Sequence, residues 1–213
     1  MMMRSTTLLV ALCAGVMALG GCVPLMFGGA VTSAMVASDR RTSGTVLEDN
    51  GIQIKANARI NENLGDRAHI NITSYNRQVL ITGEAPTQQD KELVEKVVSN
   101  VENVRNIVND VAVMGKSTLT QRSSDVLVSS RVKASLVDAP DMFTNAFKII
   151  TERGTTYLMG RVTQREANRA TEIITATSGV QKLVRVLEII SEEELARMPS
   201  QQNTEASKPA PGK

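Results

Sequence analysis

The sequence predicts an α+β fold of two tandem α-β-β-α-β units, each with two helices packed on a three-stranded mixed sheet. Three observations predict it. A helical apolar stripe, Ile52, Ala56 and Ile60, recurs as Val128, Val132 and Leu136, 76 positions later. Each stripe is followed by two strand-like runs joined by a short turn. Each unit then carries a second amphipathic helix and a closing β-rich run, in about 65 residues, enough for a modest core.

Taken in order, the first unit opens on the helix through Ile52, Ala56 and Ile60. Two strands follow, 68–75 and 78–83, around a turn at Asn76-Arg77. Thr87 is placed to cap the next helix, whose apolar side is Leu93, Val94, Val97 and Val98. The run 104–113 closes the unit. In the second unit the strands are 146–152 and 155–160, with the turn at Arg153-Gly154. Thr163 caps a helix carrying Ala167, Ala170, Ile173 and Ile174, and 180–190 closes it. Gly83 matches Gly160, and Val104, Ile107 and Val108 match Val180, Leu183 and Val184. Asn103 stands where the second copy has Gly179, so the last turn of the first copy is expected to differ.

Outside the repeats the chain changes character. Arg4 precedes an apolar run from Leu8 to Leu19, about a dozen residues and too short for a bilayer span of ~20. Leu19-Gly20-Gly21-Cys22 ends it and resembles the lipobox of bacterial lipoprotein signal peptides. That resemblance implies cleavage before Cys22 and acylation of the new terminus, palmitate being typical of the added chains. Several chains at ~0.8 kcal/mol per buried CH₂ anchor far more firmly than one. The expected organisation is a signal peptide over 1–21, lipidated Cys22 and linker over 22–47, domains over 48–115 and 121–190, and a disordered tail over 191–213 rich in Glu, Gln, Ser and Pro.

Composition narrows the function. The only other cysteine, Cys13, lies in the expected signal, which leaves none for disulfide or metal chemistry. The formal charge is +2, and +1 once Arg4 is removed, so no nucleic-acid partner is expected. There is no Trp, so stacking platforms for bases or sugars are scarce. His69 is the single histidine, a structural strand residue rather than a base or zinc ligand. Asp90, Glu92 and Glu95 fall on the polar side of a helix and read as a solvated face. No phosphate-binding loop, dinucleotide fingerprint or nucleophile elbow occurs, so neither enzyme activity nor a cofactor is expected.

The α-β-β-α-β order, Val79-Leu80-Ile81-Thr82-Gly83, Tyr157-Leu158-Met159-Gly160 and the ending Gly179-Val180-x-x-Leu183-Val184 resemble BON domains. Two such domains behind a lipobox, with Ser38-Asp39-Arg40-Arg41-Thr42 between, resemble the DolP (YraP-type) outer-membrane lipoproteins. The resemblance implies phospholipid binding at the periplasmic side of the outer membrane and a role in envelope integrity. Val23, rather than Asp, after the lipidated cysteine is consistent with outer-membrane sorting.

Comparing the two copies locates a candidate surface. The first helix of the second copy carries a second apolar set, Val126, Leu127 and Val137 with Ala134, bordered by Arg131 and Lys133. Its counterparts in the first copy are Asn50, Gly51, Asn61 and Ala58. An apolar strip rimmed by cations suits an interfacial helix meeting anionic lipid. The same strip could instead pack on the other domain or on the loop through Met142 and Phe143. The expected phospholipid-binding set is therefore Val126, Leu127, Arg131, Lys133, Val137, Met142 and Phe143. The expected partners are anionic phospholipids of the membrane, with an envelope assembly protein docked on the strip or on a strand edge as the alternative. Oligomeric state is left open.

Overall fold

The structure, a computed structural model, describes residues 39–198. The lipobox, Cys22, the first part of the linker and most of the C-terminal tail lie outside these residues. Helix α1 (Ser43–Leu64) is capped by Thr42, whose side chain accepts from the Thr45 N–H, and buries Asp49, Ile52, Ala56, Ile60 and Leu64. Strands β1 (His69–Tyr75) and β2 (Gln78–Ala85) pair antiparallel. Helix α2 (Gln88–Ser99) is capped by Thr87. Strands β3 (Asn106–Asn109) and β4 (Ala112–Val113) both run parallel to β2. The second unit repeats this as α3 (Leu119–Val137), β5 (Phe147–Glu152), β6 (Thr155–Thr163), α4 (Gln164–Ala176) and β7 (Lys182–Ile190). Each central strand therefore has an antiparallel neighbour on one edge and parallel pairing on the other, from β3 and β4 on β2 and from β7 on β6.

Both hairpins are two-residue turns with left-handed backbone at both positions: Asn76 and Arg77 at φ 51° and 64°, Arg153 and Gly154 at 50° and 71°. This is the turn whose twist matches a β-ribbon, and it leaves two backbone N–H groups aimed at the preceding helix. A buried aspartate on that helix accepts them in each copy. Asp49 takes the N–H groups of Arg77 and Asn76, both at 2.8 Å, and the Ser74 hydroxyl at 2.6 Å. Asp125 takes those of Arg153 and Gly154 at 2.8 and 2.9 Å. The repeat thus includes a helix-to-turn latch beside its apolar stripe.

Close approach explains the matched glycines in the central strands. A Cβ at Gly83 would lie 1.9 Å from the carbonyl oxygen of His69, and one at Gly160 2.6 Å from that of Ala146. The turn expected to differ does not differ in hand: Asn103 and Gly179 both have positive φ, 67° and 98°. Asn tolerates the left-handed region through local hydrogen bonding, so it replaces Gly here without reshaping the turn. The copies diverge after it instead. β7 is continuous over Lys182–Ile190, whereas its counterpart breaks between β3 and β4, where Val111 turns into the first core.

Three apolar cores order the molecule. The first lies between α1, α2 and their sheet (Ile52, Ile81, Val94, Val98), and the second between α3, α4 and theirs (Val132, Leu158, Ala170, Ile174). The third joins the opposite faces of the two sheets: Tyr75 and Leu80 from one, Tyr157, Met159 and Val186 from the other. The layers therefore run helices, sheet, sheet, helices, with α1 and α3 on opposite outer sides. The two tyrosines of the chain both sit in this middle core. Tyr75 donates to the Ala146 carbonyl at 3.2 Å, and Tyr157 donates to Asp110 at 2.7 Å in the gap between β3 and β4.

Polar contacts close both ends of the sandwich. At one, Arg153 donates to the Gly83 carbonyl and to fully buried Glu84, each at 2.9 Å, and Ser117 also donates to Glu84. Asn71 donates to Glu152 across the domains at 2.5 Å. At the other, the segment entering α1 acts as a clasp. Arg41 binds Asp39 and Asp49 and lies 4.2 Å above the Tyr75 ring. Arg40 reaches the second domain, pairing bidentately with Glu166 at 2.7 and 2.8 Å and donating to the Arg161 carbonyl. Glu166 is itself the capping-box residue of α4. The first residues of the span expected as a disordered tail form helix α5 (Glu192–Arg197), capped by Ser191, with Arg161 bound to Glu194 and Arg165 to Glu192.

Two predictions follow from these contacts. Asp125→Ala leaves two buried turn N–H groups without an acceptor, at about 1–3 kcal/mol each. Urea unfolding should show a loss of about 2–6 kcal/mol, with Asp125→Asn, which keeps one acceptor oxygen, losing less. Burial pushes the Glu84 carboxyl up, but donation from Ser117 and Arg153 outweighs burial and holds it below the usual range. Glu166 is likewise raised by burial and held down by Arg40 and the Thr163 N–H. Carboxylates with depressed folded values stabilise fully above their ordinary value of 4.5 and lose that contribution as pH falls through the folded value. The melting temperature should therefore fall steeply below about pH 4.5, and Glu84→Gln should flatten that fall.

A cation-bordered apolar face on the second domain

Helix α3 begins at a capping box, in which Thr118 accepts from the Gln121 N–H and the Gln121 side chain accepts from the Thr118 N–H. Its inner side is Asp125, Val128, Val132 and Leu136, so the latch and the core stripe fix its rotation about its own axis. That rotation turns Val126, Val137 and Leu127 outward, at 64, 62 and 57 % exposed. The strip expected from sequence is thus uncovered, and the other domain packs through the sheets instead. Leu119, unremarked in the sequence comparison, lengthens the strip: Leu119, Val126 and Val137 fall on one side of the helix at spacings of 7 and 11. Its position at the first turn, outside the repeated stripe, gave no periodic signal of its own.

Arg131 and Lys133 flank the strip, both exposed, and neither forms a salt bridge among the described residues. Beside Arg131 a shallow groove between α3 and α4 offers the hydroxyls of Ser135, Thr177 and Ser178, with Asp138 at its rim. Five of the seven residues expected to meet lipid therefore share the outer side of α3. The other two do not lie on it as expected. Met142 is half-buried against the second core, in a turn where its N–H donates to the Ala139 carbonyl and the Thr144 hydroxyl to that of Leu136. Phe143 keeps an exposed edge, but its ring carries the Arg40 guanidinium at 5.2 Å and so belongs to the clasp. His69 sits at the domain junction 3.4 Å from Asn71, and burial together with the Arg122 charge lowers its pKa. Among the described residues no group of three His, Cys, Asp or Glu side chains is placed to hold a metal, and no helix is long and apolar enough to cross a membrane.

Comparison with known proteins agrees with this architecture. The BON domain matches twice, at residues 48–115 and 124–191. Outer membrane lipoprotein DolP of Haemophilus influenzae is 32 % identical over 174 residues, 81 % of this chain and 90 % of that protein. A 21 kDa hemolysin of Actinobacillus pleuropneumoniae is 28 % identical over 154 residues, 71 % of this chain and 79 % of that protein. A solved C-terminal domain of CdsD, a structural protein of the type III secretion system of Chlamydia trachomatis, aligns at a TM-score of 0.28 and 11 % identity over 65 % of this chain and 99 % of that one. With two family matches in the two repeats and a DolP relative along most of its length, this chain belongs to the BON-domain family as a DolP-like protein with two BON domains in tandem.

Proposed function

We propose that this protein is a non-enzymatic lipoprotein of the outer membrane that faces the periplasm, held by acyl chains on Cys22, and that its second BON domain reads anionic phospholipid through α3 in support of membrane integrity. The observation that carries the reading is the outer side of α3, where exposed Val126, Leu127 and Val137 lie between two cations that have no acidic partner among the described residues. Burying each of the three aliphatic side chains at an acyl boundary contributes about 1.5–3 kcal/mol, less the part already shielded. Each cation near an anionic surface adds about 1 kcal/mol. Such sums are weak for a free protein and sufficient for one already tethered, because the tether makes the second contact intramolecular. The hydroxyl-lined groove beside Arg131 gives a lipid phosphate room to approach the guanidinium.

The clasp bears on how this is tested. A soluble fragment over 46–190 would lose Arg40, Arg41 and α5, so the fragment to use is 39–198. It should float with phosphatidylglycerol-containing vesicles, not with purely zwitterionic ones, and detach as salt is raised. Leu127→Glu with Val137→Glu should cut flotation at least tenfold at an unchanged melting temperature, since both side chains are exposed. Flotation unaffected by these changes, or absent from wild type, would refute lipid reading by α3 and favour docking of an envelope assembly protein on this face.

A further inference from the structure

The outer side of α1, on the far side of the sandwich from α3, holds an apolar stripe of a different kind. Leu47, Gly51, Ile54 and Ala58 follow one another at i, i+4, i+7 and i+11 and fall along one line of the helix. Leu47 and Ile54 are 73 and 71 % exposed, more than any other large apolar side chain described in the first unit. Asn50, Asn57 and Asn61 line one edge of the stripe, and Glu48, Lys55 and Glu62 line the other. The nearest cations are engaged, Lys55 with Glu102 and Arg59 with the Asn100 carbonyl. A face without free cations is poorly suited to anionic lipid.

Gly51 is the second observation. It lies in mid-helix, where glycine is the least favourable residue but proline, yet its φ is not positive and a Cβ there would meet nothing within 4 Å. Nothing among the described residues requires it. Glycine between two exposed aliphatic knobs instead makes a hole that another helix can enter closely.

The stripe is complementary to itself. When a second α1 is laid antiparallel about a two-fold axis passing between Ile52 and Gln53, Leu47 of each copy meets Ala58 of the other, and Ile54 meets Gly51. Both large-to-small pairs satisfy the same axis, as an isologous interface demands. Along the flanks the same axis brings Lys55 of each copy beside Glu48 of the other and Asn50 beside Asn57, so opposite charges meet and no like charges are opposed. We infer that the outer face of α1 is a homotypic docking surface, which pairs antiparallel with α1 of a second copy. One helix pair covers less than the roughly 800 Å² per partner of a stable interface, so the pairing is weak in solution and forms where copies are concentrated on membranes. Because α1 and α3 lie on opposite outer sides, a pair holds its two α3 faces apart. If α3 lies on lipid as proposed above, paired copies join two apposed membrane patches. The pairing itself does not rest on that reading.

The test uses the full chain with its acyl anchor, in vesicles of phosphatidylglycerol and phosphatidylethanolamine and, separately, concentrated in detergent. A Leu47→Cys, Ala58→Cys double variant reports the register. These positions lie about 16 Å apart along one helix, beyond the reach of a disulfide, so only two chains can form the bond. A disulfide-linked dimer in both settings, and vesicle clustering by wild type, are expected. Ile54→Glu and Gly51→Leu should abolish the linked dimer when added to the cysteine background, and abolish clustering in the native one. Gly51→Leu should at the same time leave the melting temperature equal or higher, which separates lost docking from lost folding. No disulfide in either setting, or a dimer that Ile54→Glu leaves intact, overturns the inference. A dimer in detergent with flotation of the 39–198 fragment absent refutes only the lipid reading of α3.

Discussion

Both faces of each central strand are apolar, and the rest of the molecule follows from that. In β2, Val79 and Ile81 point to the helices while Leu80 points away; in β6, Leu158 and Val162 point to the helices while Tyr157 and Met159 point away. Two helices cover one face of a three-stranded sheet and leave the other in water. A single copy would expose that second face, and the tandem copy buries it. The middle core is thus the reason the chain contains two domains docked as one body, and its two tyrosines each spend their hydroxyl on a polar group at the edge of the opposite domain.

Sheet-to-sheet docking places all four long helices outside, so the outer sides of α1 and α3 are free to diverge while their inner sides stay nearly identical. Inward, both carry the same apolar spacing and the same buried aspartate latch. Outward, α3 presents aliphatic side chains between two exposed cations, and α1 presents aliphatic side chains, asparagines and a glycine. The chemistry of recognition differs accordingly: burial together with phosphate attraction on one side, close helix approach on the other.

The clasp links this body to whatever precedes it. Arg40 and Arg41 stand next to each other in the chain yet bind carboxylates in different domains, Glu166 and Asp49. Both carboxylates already serve local structure, one in the α4 capping box and one in the α1 latch. Each guanidinium also lies over an aromatic ring, Phe143 for Arg40 and Tyr75 for Arg41. The segment through which an N-terminal anchor would pull is thereby fastened at the domain junction and not to one domain alone.

Local spacing determined the elements. Apolar periods of 3.6 and 2, the two turn signals and the threonine caps at Thr87 and Thr163 placed every long helix and strand of both domains, because each depends on residues a few positions apart. That Val126, Leu127 and Val137 lie off the core side of α3 was equally legible, but whether another element covers them was not. Tertiary structure decided what no local pattern encodes. It turned Met142 into the second core, and it gave Phe143 to the clasp and packed the sheets on each other through partners as far as 71 and 126 residues apart, such as Tyr75 with Ala146 and Arg40 with Glu166. Asp49 and Asp125 were visible as letters of the repeat, but their role appeared only when the hairpin turned its two N–H groups back toward the helix.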